Sequence, residues 1–211
     1  MLEVPNEYGT WHLPGTAIEH WPADCDGSYL CNAYLKPAEI HPLSNVESNK
    51  IAGEVVIWRW CNIGPDVEIR RGTKIGSWVE IWGPVLIGQY CKIESGAKIY
   101  GPCNIGNRCF IGPNAVITND RYPNAKQVNW KASHGTTVLE ENVSVGCSAV
   151  VLPGLRLCKG AVVGAGAVVT HGILAGQTWV GVPAHKLKKG ERADEDVDGG
   201  HDEFSRIAPA T

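Results

Sequence analysis

The chain reads as an all-β solenoid, and three observations predict it. From Ile51 to Ile117 every sixth residue is isoleucine, so twelve of the sixteen isoleucines share one register. Four places after each stands a small or β-branched residue: Val55, Cys61, Val67, Thr73, Val79, Val85, Cys91, Ala97, Cys103, Cys109 and Ala115. Only Arg121, the last in the series, breaks the rule. Glycine often follows the isoleucine, as at Gly64, Gly76, Gly88, Gly106 and Gly112. A period of six fits neither a helix at 3.6 nor one long strand at 2.0. It fits short strands joined by corners, with glycine permitting the turn and the aliphatic residue pointing inward. One such unit cannot bury its apolar side alone, so successive turns must stack.

Composition agrees with a narrow core. The chain has 25 Gly but only 2 Phe and 1 Met, and 44% of its residues are hydrophobic, enough to pack an interior. The net charge of −3 is unevenly placed: residues 191–211 hold seven acids and two bases, leaving a near-neutral body. That body lacks the basic stripe of a nucleic-acid binder, and the acidic end reads as a solvated tail. No run of about 18 apolar residues could span a bilayer. The opening MLEVPNEYGTWHLPG lacks the pattern of a secretory signal. A cytoplasmic protein with no membrane partner is expected, its eight cysteines thiols. No Cys/His spacing matches a zinc site, so no metal is expected.

Residues 1–38 carry no repeat but hold Trp11, Trp21, Tyr29 and Tyr34. They are expected to cap the first coil, because an open solenoid end leaves strand edges unpaired. The solenoid is expected over 39–185. Its register breaks after Ile117 and resumes at Leu139, Val145, Val151, Leu157, Val163 and Val169. The inward partners there are Val143, Ala149, Leu155, Ala161, Ala167 and Ile173. Residues 186–211 form a basic turn, with Lys186, Lys188 and Lys189, followed by the acidic tail.

This pattern resembles the hexapeptide-repeat acyltransferases. The resemblance implies a left-handed parallel β-helix with three hexapeptides per triangular coil. Residues 51–122 then give four coils and 139–174 two more. With eighteen residues per coil, Trp60 and Trp78 should stack, as should Cys91 and Cys109. Trp82, Tyr100 and Thr118 should form one outward row, a subunit contact or a platform for a base or sugar. Cysteines of the inward row are expected to be small core residues.

The insertion at 118–138 is the one polar departure from the beat, and function on a scaffold concentrates in such loops. It gathers Asn119, Asp120, Arg121, Tyr122 and His134. Here the segments CFIGPNAVITNDRYPNA, VGAGAVVT and VGVPAHKL resemble the acetyltransferases of amino-sugar nucleotides that carry a TNDRYP loop. The sequence departs from that pattern at Ile117, where Phe is usual, and at Gly181-Val182-Pro183, where GNP is usual. Residues 1–38 have no counterpart.

The resemblance implies acetyl transfer from acetyl-CoA to an amine, commonly at C-3 of a UDP- or dTDP-linked sugar, for bacterial surface glycans. Such a transfer needs alignment, a sink for the amine proton and donors for a developing oxyanion. His134 is the candidate general base. Asp120 would orient the incoming ammonium, and Asn119 would position the amine or donate to the thioester oxygen. Arg121, Tyr122, Trp82 and Tyr100 are candidates for substrate binding. Gly146, Gly164, Ala165 and Gly166 would let a pantetheine arm approach the backbone, with Lys186 and Lys188 meeting phosphates. A homotrimer with sites between subunits is implied as well.

Three other functions compete with this one. An O-acetyltransferase would need a strong base, which an essential His134 would supply. A zinc γ-carbonic anhydrase needs three converging histidines, yet the coils from 51 to 117 hold none and only His134, His171 and His185 follow before the tail with its His201. A non-enzymatic ice-binding solenoid would show Thr-x-Thr rows, which are absent.

Overall fold

A computed structural model describes residues 36–126 and 135–188. Every regular element among them is a strand of two or three residues. The strands fall into three sheets. The first begins at Glu39–Ile40 and recurs at Val56–Ile57, Lys74–Ile75, Lys92–Ile93, Phe110–Ile111, Ser144–Val145 and Val162–Val163, ending in Thr178–Val180 and His185–Lys186. The second sheet runs from Asn45–Val46 to Val168–Val169, and the third from Lys50–Ile51 to Arg156–Leu157. All pairings are parallel except the closing one between Thr178–Val180 and His185–Lys186. The architecture is a left-handed parallel β-helix of about seven coils, triangular in section.

Register follows the six-residue beat. Ile57 pairs with Ile75, Ile63 with Ile81, and Ile69 with Ile87, each eighteen residues on. The period holds because each inner aliphatic side chain stacks on its counterpart in the coil below. Isoleucines 57 to 117 are all at most 1% exposed. Cys61, Cys91, Cys103 and Cys109 are buried among them, as expected for small core residues.

The structure also shows a coil upstream of the strict register. Ile40 pairs with Ile57 and Val46 with Ile63, seventeen residues apart, whereas Ile51 pairs with Ile69 at eighteen. The corner between Val46 and Ile51 is one residue short, which hides this coil from a search for strict sixes. At the insertion the offset widens: Ile105 pairs with Leu139 and Ile117 with Val151. The extra residues leave the solenoid between adjacent coils without shifting a strand.

Two of the three corners are tight and alike. On the first corner, between first and second sheets, the third residue adopts positive φ, as at Trp60, Trp78, Asn114, Ser148 and Gly166. That conformation turns its N–H onto the coil below: Asn114 donates to Ser95, Ser148 to Pro113 and Gly166 to Cys147, at 2.8–3.0 Å. The third corner repeats the device with Tyr90, Arg108, Asn142 and Gly160. The second corner, between second and third sheets, lacks this device in the coils before the insertion, where Asp66, Pro84 and Pro102 hold the third place, and takes it up again at Gly154 after it.

Candidate functional site

The second corner departs from the other two in the residue that opens it. On the first corner glycine takes that place four times, at Gly76, Gly112, Gly146 and Gly164. The next coil overhangs there: a Cβ on Gly146 would lie 2.5 Å from the Ala165 nitrogen. On the second corner side chains take that place in five coils, at Trp82, Tyr100, Thr118, Leu152 and Thr170. All five are half-buried. The expected row of Trp82, Tyr100 and Thr118 is therefore in register, with Tyr100 directly opposite Trp82. Gly64 occupies the same column one coil down, and Trp82 lies over it so closely that a Cβ would meet the indole at 2.8 Å.

Tyr100 sits in a small polar cluster. Glu80 and Lys98, on the same outward face, form an ion pair at 3.1 Å. Burial, and then the neighbouring Glu80 carboxylate, raise the Tyr100 phenol above its usual range. Near neutral pH the hydroxyl thus remains a donor.

The insertion leaves this edge at Thr118. The Thr118 N–H donates to Val151 at 3.0 Å, and its hydroxyl to the same carbonyl at 3.1 Å. Asn119 and Asp120 follow, both half-buried. Asp120 Oδ1 accepts the Tyr122 N–H at 2.9 Å, an Asx turn that reverses the chain. Tyr122 projects outward, 73% exposed. Arg121 turns back: its Nη2 donates to the Thr170 carbonyl at 3.1 Å. Asn119, Asp120, Arg121 and Tyr122 therefore leave the corner that carries Tyr100 and Trp82 in the two preceding coils. His134 lies outside the described residues, as do 1–35, Lys189 and the acidic tail.

One residue of this edge was not enlisted by sequence spacing. His171 is exposed at the second corner, and its Nδ1 is hydrogen-bonded to Thr170 Oγ1 at 2.8 Å. The available signal was the column Thr118, Leu152, Thr170, which puts His171 one residue beyond the insertion's own row. The insertion hides that column, because it breaks the eighteen-residue count between Thr118 and Leu152.

The residues expected to hold acetyl-CoA lie on a different edge. Gly146, Gly164, Ala165 and Gly166 belong to the first corner of the last coils. Gly146 and Gly164 are accounted for by packing, since a Cβ on Gly164 would meet Val180 at 2.7 Å. Gly166 is different: its φ is +66°, and no atom lies within 4 Å of where a Cβ would stand. The Ala165–Gly166 turn thus offers exposed backbone that no side chain covers. Lys186 pairs with Trp179 in the closing hairpin, and both Lys186 and Lys188 are exposed. Among the described residues no group of three or more His, Cys, Asp and Glu side chains gathers to hold a metal ion. No helix among them is long and apolar enough to cross a membrane.

Comparison with known proteins agrees with this architecture. Residues 84–119 match the family described as bacterial transferase hexapeptide (six repeats), and residues 136–171 the hexapeptide repeat of succinyl-transferase. The 2,3,4,5-tetrahydropyridine-2,6-dicarboxylate N-acetyltransferase of Staphylococcus aureus is 38% identical over 63 residues, 30% of this chain and 26% of that protein. PerB from Caulobacter crescentus, solved with CoA and GDP-perosamine, superposes with a TM-score of 0.51 at 22% identity, covering 73% of this chain and 58% of that one. The acetyltransferase domain of PglB from Neisseria gonorrhoeae, solved with acetyl coenzyme A, gives 0.52 at 19%, covering 74% and 60%. At these identities the likeness to the solved structures is one of fold. The chain spans about a quarter of the curated relative's length and less than two thirds of either solved chain.

Proposed function

Because the chain is built on the hexapeptide repeat of the bacterial transferases, we propose that it is an acetyl-CoA-dependent N-acetyltransferase acting on an amino sugar linked to a nucleotide. One observation carries this reading. The edge whose corners lack the positive-φ turn before the insertion is the edge that holds the insertion, its Asn-Asp-Arg-Tyr-Pro segment and the Trp82–Tyr100 row. A nucleotide-linked sugar presents rings that stack on aromatic faces and an amine that needs polar orientation, and this edge supplies both. PerB, solved with GDP-perosamine, adds support for that substrate class.

Acetyl-CoA would supply the acetyl group as a thioester, with its carrier along the Ala165–Gly166 turn and its phosphates near Lys186 and Lys188. Asp120 then faces the incoming amine and favours its approach as a cation. Asn119 positions the nitrogen or donates to the carbonyl oxygen as charge develops there. His134 accepts the proton the amine must lose. Trp82 and Tyr100 bind the acceptor's rings, with Tyr122 closing over them. The acylated position is read as C-3 and the nucleotide as UDP or dTDP, on the strength of the TNDRYP resemblance. A homotrimer with sites shared between neighbouring prisms fits the exposed Trp58, Trp60 and Trp78, which want covering.

The reading is tested by release of CoA thiol from acetyl-CoA over a panel of UDP-, dTDP- and GDP-linked amino sugars, with mass detection of the product. Turnover with at least one amine, and none with its deaminated analogue, is the expected result. Silence across the panel, with a hydroxylated acceptor turned over instead, would move the chain to the O-acetyltransferases.

A further inference from the structure

We infer that Arg121 is a positioning residue, which fastens the first turn of the insertion to the solenoid and so presents Asn119 and Asp120, rather than a residue that touches substrate. Three observations carry the inference. Thr118, Leu152 and Thr170 form one column through successive coils, so the Thr170 carbonyl lies two coils beyond the point where the insertion departs. The Arg121 guanidinium spans that gap, with Nη2 on the Thr170 carbonyl at 3.1 Å. Its Nε is buried with no hydrogen-bond partner among the described residues, so this side of the guanidinium lies against the protein.

The consequence falls on the two residues between the anchors. Thr118 is fixed by two hydrogen bonds to Val151 in the next coil, and Arg121 by Thr170 one coil further on. Asn119 and Asp120 form a two-residue bridge held at both ends, and the Asx turn from Asp120 to the Tyr122 N–H fixes the exit. A site that must hold a reacting nitrogen within a fraction of an ångström needs such support behind its contact residues. Arginine suits the task because its planar fork loses less freedom per hydrogen bond than lysine and keeps its charge. The anchor also joins the insertion to the residue whose hydroxyl holds His171.

The catalytic half of this inference rests on the acetyltransferase reading, and the structural half does not. Hydrogen exchange therefore decides the anchor by itself: in Arg121→Ala, amides of peptides covering 118–126 should exchange about tenfold faster, with the coils unchanged. Thr170→Val keeps the carbonyl and should leave that protection in place. In steady-state kinetics Arg121→Ala should lower kcat about tenfold with less than a twofold change in KM for the acceptor. Added guanidinium should restore part of the loss, and Arg121→Lys should fall between. Unchanged exchange at 118–126 would overturn the anchor. A raised acceptor KM at unchanged kcat would show that Arg121 binds substrate directly and overturn the positioning role. If wild-type protein turns over no acceptor, the function reading fails while exchange still decides the anchor.

Discussion

Arg108 Nη1 donates to Glu141 Oε1 at 2.6 Å, joining residues thirty-three apart in sequence but one coil apart in space. The pair closes the solenoid behind the insertion. Glu141 also meets Lys159 at 2.9 Å, and the adjacent Glu140 accepts the Lys159 N–H and the Arg156 Nε, each at 2.8 Å. These are surface groups, and singly such pairs are worth little. As a ladder up the third corner they tie the coil before the insertion to two coils after it.

This ladder predicts an acid-sensitive register. The Lys159 N–H and then Arg156 hold the Glu140 carboxyl below its usual range, and Lys159, then Arg108, do the same for Glu141. A carboxylate with a lowered folded pKa contributes stability above its unfolded pKa of about 4.3 and loses it as pH falls through the folded value. Thermal unfolding followed by circular dichroism should show Tm dropping across that acidic window. Glu140→Gln with Glu141→Gln should flatten part of the drop. Equal slopes in both proteins would show that the ladder contributes nothing to acid stability.

Two glycines expected to serve the same ligand should behave differently on substitution. Gly146→Ala drives a Cβ into the backbone of the next coil at 2.5 Å and should cost about 3 kcal/mol, the upper end for overpacking. Gly166→Ala meets no atom, but its positive φ should cost about 1 kcal/mol. Of the two, Gly166→Ala alone should remain well folded while weakening acetyl-CoA binding. Urea melts and a titration with CoA separate these effects.

The inward thiols of Cys61 and Cys103 should be silent in the native state. Burial pushes the Cys103 thiol up to about 12 and raises Cys61 as well, so little thiolate exists at neutral pH. Cys147 is exposed. Labelling with a maleimide followed by peptide mapping should find Cys147 modified and Cys61 and Cys103 intact until denaturant is added. Fast native labelling of Cys103 would contradict the buried column.

Most of the fold was legible because a solenoid writes its packing as a period. Each inner isoleucine needs the same neighbour at the same distance, and Ile57 through Ile117 announce every coil they line. The coil of Ile40 and Val46 escaped because one corner is a residue short. Its edges were nevertheless within the expected solenoid. The edge bearing the site was only partly legible. Trp82 and Tyr100 could be placed by counting eighteen, but His171 could not, since the insertion interrupts the count. Nor could spacing say which way Arg121 turns, because a side chain that reaches back over two coils leaves no mark in a period.

The two imidazoles of this region predict distinct kinetics. His134→Ala should lower kcat about 10²-fold and remove the acidic limb of the pH–rate profile, the signature of a general base. On that assignment His171→Ala should retain the limb. A His134→Ala enzyme with wild-type kcat at every pH would show that the amine proton leaves without a side-chain base.

On the proposed function, the second-corner edge with its insertion is the edge that receives the acceptor amine. Deleting residues 119–134 restores the six-residue spacing between Ile117 and Leu139, so the coils lose nothing they need. The direct measurement is CoA release from acetyl-CoA with the amino-sugar nucleotide the intact chain turns over, read beside the circular dichroism of the trimmed variant. A native β spectrum with a cooperative melt and no acetyl transfer is the expected result. Transfer at the intact rate by the trimmed, folded chain would contradict an active second-corner edge.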